Sequence, residues 1–362
     1  MKLTSPRLAA FTLALVVLAT TFGEGHKPVT SKYTFNEHVM PIFREHCGAC
    51  HVEGGAAPMS LTTYADARPW AESIRAELVA AHMPPAQAES AVGPFRNGRL
   101  MPPRALDVVL TWATGGTPEG PPAAEPLAAK APRPAWALGS PDVTIPIPSD
   151  VTLAPRALET TEEFRLPSAA LEGHAVRAVD LKPGTPSIVR RAIFFVQTRQ
   201  TESNAGPPPD HVIGIWSPGG DIVAPTDGAA FAFPKGAELV ARITYRKTWK
   251  YENTAMTDRS AIGVYLSDLS HVREIAAVHL SGHASVSDDV QVIAVRSEID
   301  AEDGDVAATA QLPDGSRILL VRFTGQREWP QRFWYARPVA LPRGTRLESQ
   351  IPIVIDVVGP DR

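Results

Sequence analysis

Cysteine is nearly absent from these 362 residues: two exist, and both lie in Cys47-Gly48-Ala49-Cys50-His51. No second Cys/His pair stands at ligand spacing to complete a structural zinc site, and a thioredoxin-like dithiol has no use for His51. No cysteine closes the apolar run near the N-terminus, which excludes lipid attachment there. A strong charge of one sign is also missing. The formal net charge is −4 with a mean hydropathy of −0.07, which argues against nucleic acid as a partner and describes an ordinary water-facing protein. No long amphipathic helical pattern follows residue 140, which excludes an alternating helix and strand architecture there.

What is present is a Cys-x-x-Cys-His motif, the attachment site of a covalent c-type haem. Two thiols about one helical turn apart are placed to add to the two vinyl groups of the ring. The histidine after the second then reaches the iron. The motif predicts one haem c, with Cys47 and Cys50 as its covalent anchors and His51 as an axial ligand.

The start of the chain agrees. Lys2 and Arg7 precede an apolar run at 8–19, followed by Thr20-Thr21-Phe22-Gly23, the pattern of a cleaved secretory signal at 1–23. The run falls short of the ~20 apolar residues of a spanning helix, so cleavage is favoured over a retained anchor and no transmembrane segment is expected in the mature chain. Export puts the thiols where c-type haem is installed, and the expected location is the periplasm.

Proline, at 35 residues, marks the boundaries. Residues 30–117 read as short helices around a haem: a helix entered by the capping box Thr34-Phe35-Asn36-Glu37, a second at 64–80, and a third at 104–114 that stops at Gly115-Gly116. Trp112 on the third is expected to pack near Phe43. Residues 118–139 are rich in proline and alanine and read as a semi-rigid spacer. Beyond it, eleven alternating or β-branched runs at 175–181, 187–196, 211–216, 238–246, 261–266, 273–280, 290–296, 306–312, 316–323, 331–336 and 346–357 predict antiparallel strands. The expected fold is a small all-α, class I-like haem domain followed by two jelly-roll-like antiparallel β-sandwiches, at 140–268 and 269–362.

A haem iron that carries electrons takes a second ligand, and the haem region offers Met40, Met59, Met83, Met101, His38, His46 and His82. Met83, in Ala81-His82-Met83-Pro84-Pro85, is favoured because two prolines stiffen the loop that carries it. Met101 has the same Met-Pro-Pro form and is the leading alternative, with His82, Met59 or an open position behind it.

Pro41-Ile42-Phe43, the haem motif, Pro58-Met59-Ser60-Leu61-Thr62-Thr63-Tyr64, Arg68-Pro69-Trp70-Ala71 and Met83-Pro84-Pro85 together resemble a bacterial cytochrome c domain fused to a copper type II, ascorbate-dependent monooxygenase-like module. The rest of the chain is similar to that module, which is related to peptidylglycine α-hydroxylating monooxygenase. The similarity rests on Trp216-Ser217-Pro218-Gly219-Gly220, Phe233-Pro234-Lys235-Gly236, Thr257-Asp258-Arg259-Ser260, Pro313-Asp314-Gly315 and Leu341-Pro342-Arg343-Gly344-Thr345. The resemblance also favours Met83 as the ligand. It implies copper held by a His-His pair, a His-x-His strand and a later sulfur ligand. The pair reads Arg190-Arg191 and the strand Thr244-Tyr245-Arg246 here, Val295-Arg296-Ser297-Glu298 stands where the family has a His-rich stretch in the second sandwich, and a guanidinium cannot supply a neutral nitrogen to copper.

His174, His211, His271 and the unit His279/His283 remain in the β region; the last is expected at a strand end and turn, and Met256 is a poor copper ligand. Copper is therefore not expected. Arg190, Arg191, Arg242, Arg246 and Arg296 either converge on Glu298 or an anion, or form ordinary ion pairs along their strands. The expected function is an exported monohaem electron carrier, not an enzyme. Its β module would serve as a docking or assembly scaffold, with a periplasmic redox protein as partner or a place in a larger complex. The alternatives are a haem-fed copper monooxygenase, and a haem sensor or peroxidase with a ligand-binding β module.

Overall fold

Among the described residues, α-helix is confined to the first third of the chain, and only short 3-10 turns follow it. The computed structural model describes residues 30–85, 87–98, 100–122, 135–198, 212–225 and 228–360; the expected signal at 1–23, most of the expected spacer and His211 lie outside them. A π-turn, Phe35–Val39, runs into α1 (Met40–His46). The expected capping box does not form: the Thr34 hydroxyl donates to the Glu37 carboxylate (2.9 Å) and the Thr34 amide donates to His38 Nδ1 (3.2 Å). With no side chain accepting from the first amides, the helix opens on the wider π-turn.

The expected helix at 64–80 is three pieces. α2 (Tyr64–Ala67) is capped by Thr63, which accepts from the Asp66 amide. Pro69 has no amide proton to donate, and the chain tightens to a 3-10 turn at Arg68–Trp70 before α3 (Ala71–Val79). α4 (Pro103–Thr114) begins with proline in its first turn, where the missing donor costs nothing. Trp112, fully buried, meets Phe35 and Phe43 at ring distances of 5.8 and 6.2 Å, as the sequence predicts.

The rest of the chain is mostly β. Its strands are β1 (Ala88–Glu89), β2 (Val143–Pro146), β3 (Val151–Leu153), β4 (Glu159–Leu166), β5 (His174–Lys182), β6 (Val189–Gln197), β7 (Val212–Trp216), β8 (Ala229–Ala232) and β9 (Glu238–Arg246). They continue with β10 (Met256–Asp258), β11 (Ala261–Asp268), β12 (Arg273–Glu274), β13 (Ala276–Ser285), β14 (Val290–Ser297), β15 (Gly304–Gln311), β16 (Arg317–Gly325), β17 (Arg332–Leu341) and β18 (Arg346–Val358). A five-stranded sheet, β12-β8-β5-β11-β2, and a four-stranded sheet, β4-β9-β6-β7, share one core. Val176, Val179 and Leu181 come to it from the first, and Phe194, Leu239 and Ile243 from the second. A seven-stranded sheet, β1-β16-β15-β18-β14-β17 with β13 also on β18, builds a second core around Val321, Phe333 and Ile355. The first core also takes Ile293, Ala294, Trp334 and Val358 from beyond residue 269, so the two β portions interlock.

The helical region is not held off by the expected spacer. β1 adds to β16, pairing Ala88 with Phe323 and Glu89 with Arg322, and a bridge joins Phe95 to Tyr335. Buried Asn97 donates from Nδ2 to the Arg332 carbonyl (2.7 Å) and accepts from the Trp334 amide (2.9 Å). Arg96 donates its amide to the Trp334 carbonyl. The start of the expected spacer is tied down as well. The Pro118 carbonyl accepts from the Phe35 amide and from Trp112 Nε1, and Glu119 accepts from the Asn36 amide. Among the described residues no helix is long and apolar enough to cross a membrane.

Candidate functional site

α1 delivers the cysteine motif as it ends, because the Cys47 and Gly48 amides both turn back to the Phe43 carbonyl. The next turn is closed by Cys50 and His51, whose amides donate to the Cys47 carbonyl at 3.1 and 3.0 Å, so the two thiols and the imidazole stay within one turn of backbone. A cavity of about 460 Å3 opens beside them, in the size range of cofactor sites. Its lining includes Cys47, Cys50, His51, Met83 and Met101, so the two expected anchors, the expected axial histidine and both favoured methionines face one space, while Met40 and His38 do not line it. Met59 and His46 line it too, whereas His82 turns its Nδ1 to the Glu77 carboxylate at 3.2 Å.

His51 Nδ1 lies 3.2 Å from the Met59 carbonyl. A carbonyl only accepts, so Nδ1 carries the proton and Nε2 keeps its lone pair. Desolvation lowers the imidazole pKa, with the Met59 bond opposing it weakly, and the ring is held neutral as a ligand must be. Cys47 is pushed up to about 12 by burial and by the neighbouring Cys50. A disulfide oxidoreductase needs the opposite shift at its attacking thiol, so this dithiol is unsuited to that chemistry.

Phe43, Leu61, Ile74 and Leu78 supply apolar walls. Taken together, two thiols one turn apart, an imidazole whose Nε2 is left free and two thioethers around a largely apolar space fit a covalent haem c.

The opposite wall comes from the β portion, which sequence reasoning did not assign to the site. Arg190, Pro218, Arg246, Lys247, Thr248, Trp249, Glu328 and Trp329 complete the lining. Cys50 Sγ lies 3.4 Å from the Pro218 carbonyl, and Lys250 Nζ bridges to Glu53 beside the motif at 2.6 Å. Two of these residues, Arg190 and Arg246, stand where the resemblance looks for copper-binding histidines. No other sequence signal marked them.

Arg190, Arg191, Arg242, Arg246 and Arg296 do not converge on Glu298, which instead bonds His279 at 2.5 Å. Arg191 and Arg242 share Asp300, and Arg242 also meets Glu163. Arg246 pairs with Glu159 and Glu328. Arg296 is fully buried, and its Nη1 donates to the Ser297 carbonyl. A β-bulge explains why Arg190 differs: Val189 faces Tyr245 and Arg191 faces Thr244, so Arg190 is the extra residue and its side chain is re-aimed into the cavity.

His279 and His283 do not end a strand as expected. β13 continues to Ser285 across an irregularity at Gly282, whose φ is +79°. His283 opens onto a separate groove of about 570 Å3 with Arg317, Arg346 and Glu348, while His279 is engaged with Glu298.

No protein-family model matches the chain, and no curated protein matches it in sequence.

Proposed function

We propose that this chain is an exported, monohaem c-type cytochrome that carries single electrons, and that its β module is a degenerate relative of the copper monooxygenase fold acting as a scaffold. The observation that carries the reading is the convergence of Cys47, Cys50, His51, Met83 and Met101 on one apolar cavity. In this reading residues 30–117 form a class I-like haem domain and the β portion comprises two jelly-roll-like sandwiches. Residues 1–23 would direct export to the periplasm, where a redox protein is the partner.

The iron of the bound haem supplies reversible one-electron chemistry. The chain does the rest. The Cys47 and Cys50 thiols would hold the ring covalently, one thioether each. His51 would supply Nε2 as an iron ligand, with its ring orientation fixed by the Met59 carbonyl. Met83 would supply a thioether as the second ligand, with Met101 as the alternative. Phe43, Leu61, Ile74 and Leu78 exclude water, which limits reorganisation when the charge changes.

Metal analysis of the purified, exported protein together with its absorption spectrum tests the reading. One iron, no copper and a six-coordinate low-spin haem are expected. Copper at one or more per chain after chelator washing would overturn it in favour of a haem-fed monooxygenase. A high-spin haem that reacts with peroxide would overturn it in favour of a sensor or peroxidase.

A further inference from the structure

Three cationic side chains of the β portion line the cavity, and two of them are engaged. Arg246 pairs with Glu159 and Glu328. Lys247 donates from Nζ to the Ala154 and Thr254 carbonyls at 2.7 and 2.6 Å. Arg190 is different: its Nη1 is buried and has no hydrogen-bond acceptor. A buried donor left without an acceptor is costly, and a bulge at its own position directs this one inward.

We propose that Arg190 is a redox-tuning residue, its guanidinium set by the bulge into the cavity wall beside Cys50 so that its positive charge favours the reduced form of the haem. The inference rests on the haem reading above. It makes the β module a working wall of the redox centre rather than a remote scaffold.

The physical argument is one of sign. A ferrous haem carries one positive charge fewer than a ferric haem, so a fixed nearby cation stabilises it relative to the oxidised form. Burial and Arg246 pull the Arg190 pKa down to about 10, with Cys50, Glu328 and Glu159 opposing, so the group stays charged at neutral pH. The groups facing it are Arg246 at the end of β9, Glu328 in the turn between β16 and β17, Glu159 at the start of β4, and Cys50. For unit charges about 10 Å apart at an effective dielectric constant of about 20, Coulomb's law gives about a tenfold change in the ferrous to ferric ratio.

Potentiometric titration of the full-length exported protein tests this, with wild type beside Arg190→Gln, Arg190→Lys and Glu328→Gln, and Arg322→Gln as a control at a pair with Glu89, neither residue of which lines the cavity. Arg190→Gln is expected to lower the ferrous to ferric ratio at fixed ambient potential about tenfold, or about 59 mV for one electron. Arg190→Lys should retain most of the wild-type ratio, Glu328→Gln should raise it, and Arg322→Gln should leave it unchanged.

A ratio within twofold of wild type in Arg190→Gln, with an unchanged haem spectrum, overturns the inference while the haem reading stands. A changed spectrum in that variant assigns Arg190 a structural role and also overturns it. If Arg190→Gln does not fold, the sign in Glu328→Gln decides, and the absence of a rise overturns the inference. Wild-type protein without covalent haem overturns the reading beneath it.

Discussion

Replacing Asn97 by alanine should loosen the junction on which the composite cavity depends. The Asn97 amide group satisfies two buried backbone groups of β17, accepting from the Trp334 N–H (2.9 Å) and donating to the Arg332 carbonyl (2.7 Å). Both groups lie where water does not reach to replace it, since Asn97 is 3% exposed and its bonds are buried. Each lost bond removes about 1 kcal/mol of net stability, and each stranded polar group costs about 1–3 kcal/mol, which overlaps the first figure. The expected loss is about 2–4 kcal/mol for the pair.

Asn97→Asp should be at least as damaging, because a carboxylate cannot donate to the Arg332 carbonyl. Urea unfolding followed by far-ultraviolet circular dichroism and by the haem band measures the effect. At a slope of about 2–3 kcal/mol per molar, the midpoint of the transition that includes β17 falls by about 1 M. The same variant should show faster proteolysis between residues 85 and 100. A change below about 0.5 kcal/mol, the size of an ordinary surface substitution, would refute the view that this loop is built into the C-terminal sheet.

Other substitutions test other levels of the account. Trp112→Ala, which empties a fully buried ring site between Phe35 and Phe43, should cost about 3–5 kcal/mol by thermal or urea unfolding. Arg332→Met should destabilise by about 3–5 kcal/mol, since it strands the buried Asp356 carboxylate now 2.8 Å away. In Arg332→Met with Asp356→Leu, most of that loss should return. Met83→Ala should abolish the weak absorption band at the red edge of the oxidised spectrum and Met101→Ala should leave it; the reverse result would transfer the sixth ligand to Met101.

The site was legible where its chemistry is local. Cys47, Cys50 and His51 sit within one turn, so their spacing alone predicts a shared cavity, and the Met-Pro-Pro loops stand out by composition. The long strands were legible for the same reason: β9 and β18 alternate or run apolar over nine and thirteen residues. β4 was not, because Glu159-Thr160-Thr161-Glu162-Glu163 is polar on both faces and buries only Phe164 and Leu166 near its end. β1 is two residues long and carries no periodicity, so nothing local shows that it joins a sheet more than 200 residues away. Arg190 was visible as a missing histidine, but its direction depends on a bulge in a long-range pairing, which no pattern in β6 alone encodes.

The claim on which the rest depends is that Cys47 and Cys50 hold a haem covalently. Pyridine haemochrome analysis of the exported chain, after denaturation and extraction with acidified organic solvent, measures it directly. The account predicts one haem per chain retained through extraction, and none retained in Cys47→Ser with Cys50→Ser. Haem that extracts completely from the wild-type chain, or a chain matured in a host competent for c-type haem that carries none, would contradict it.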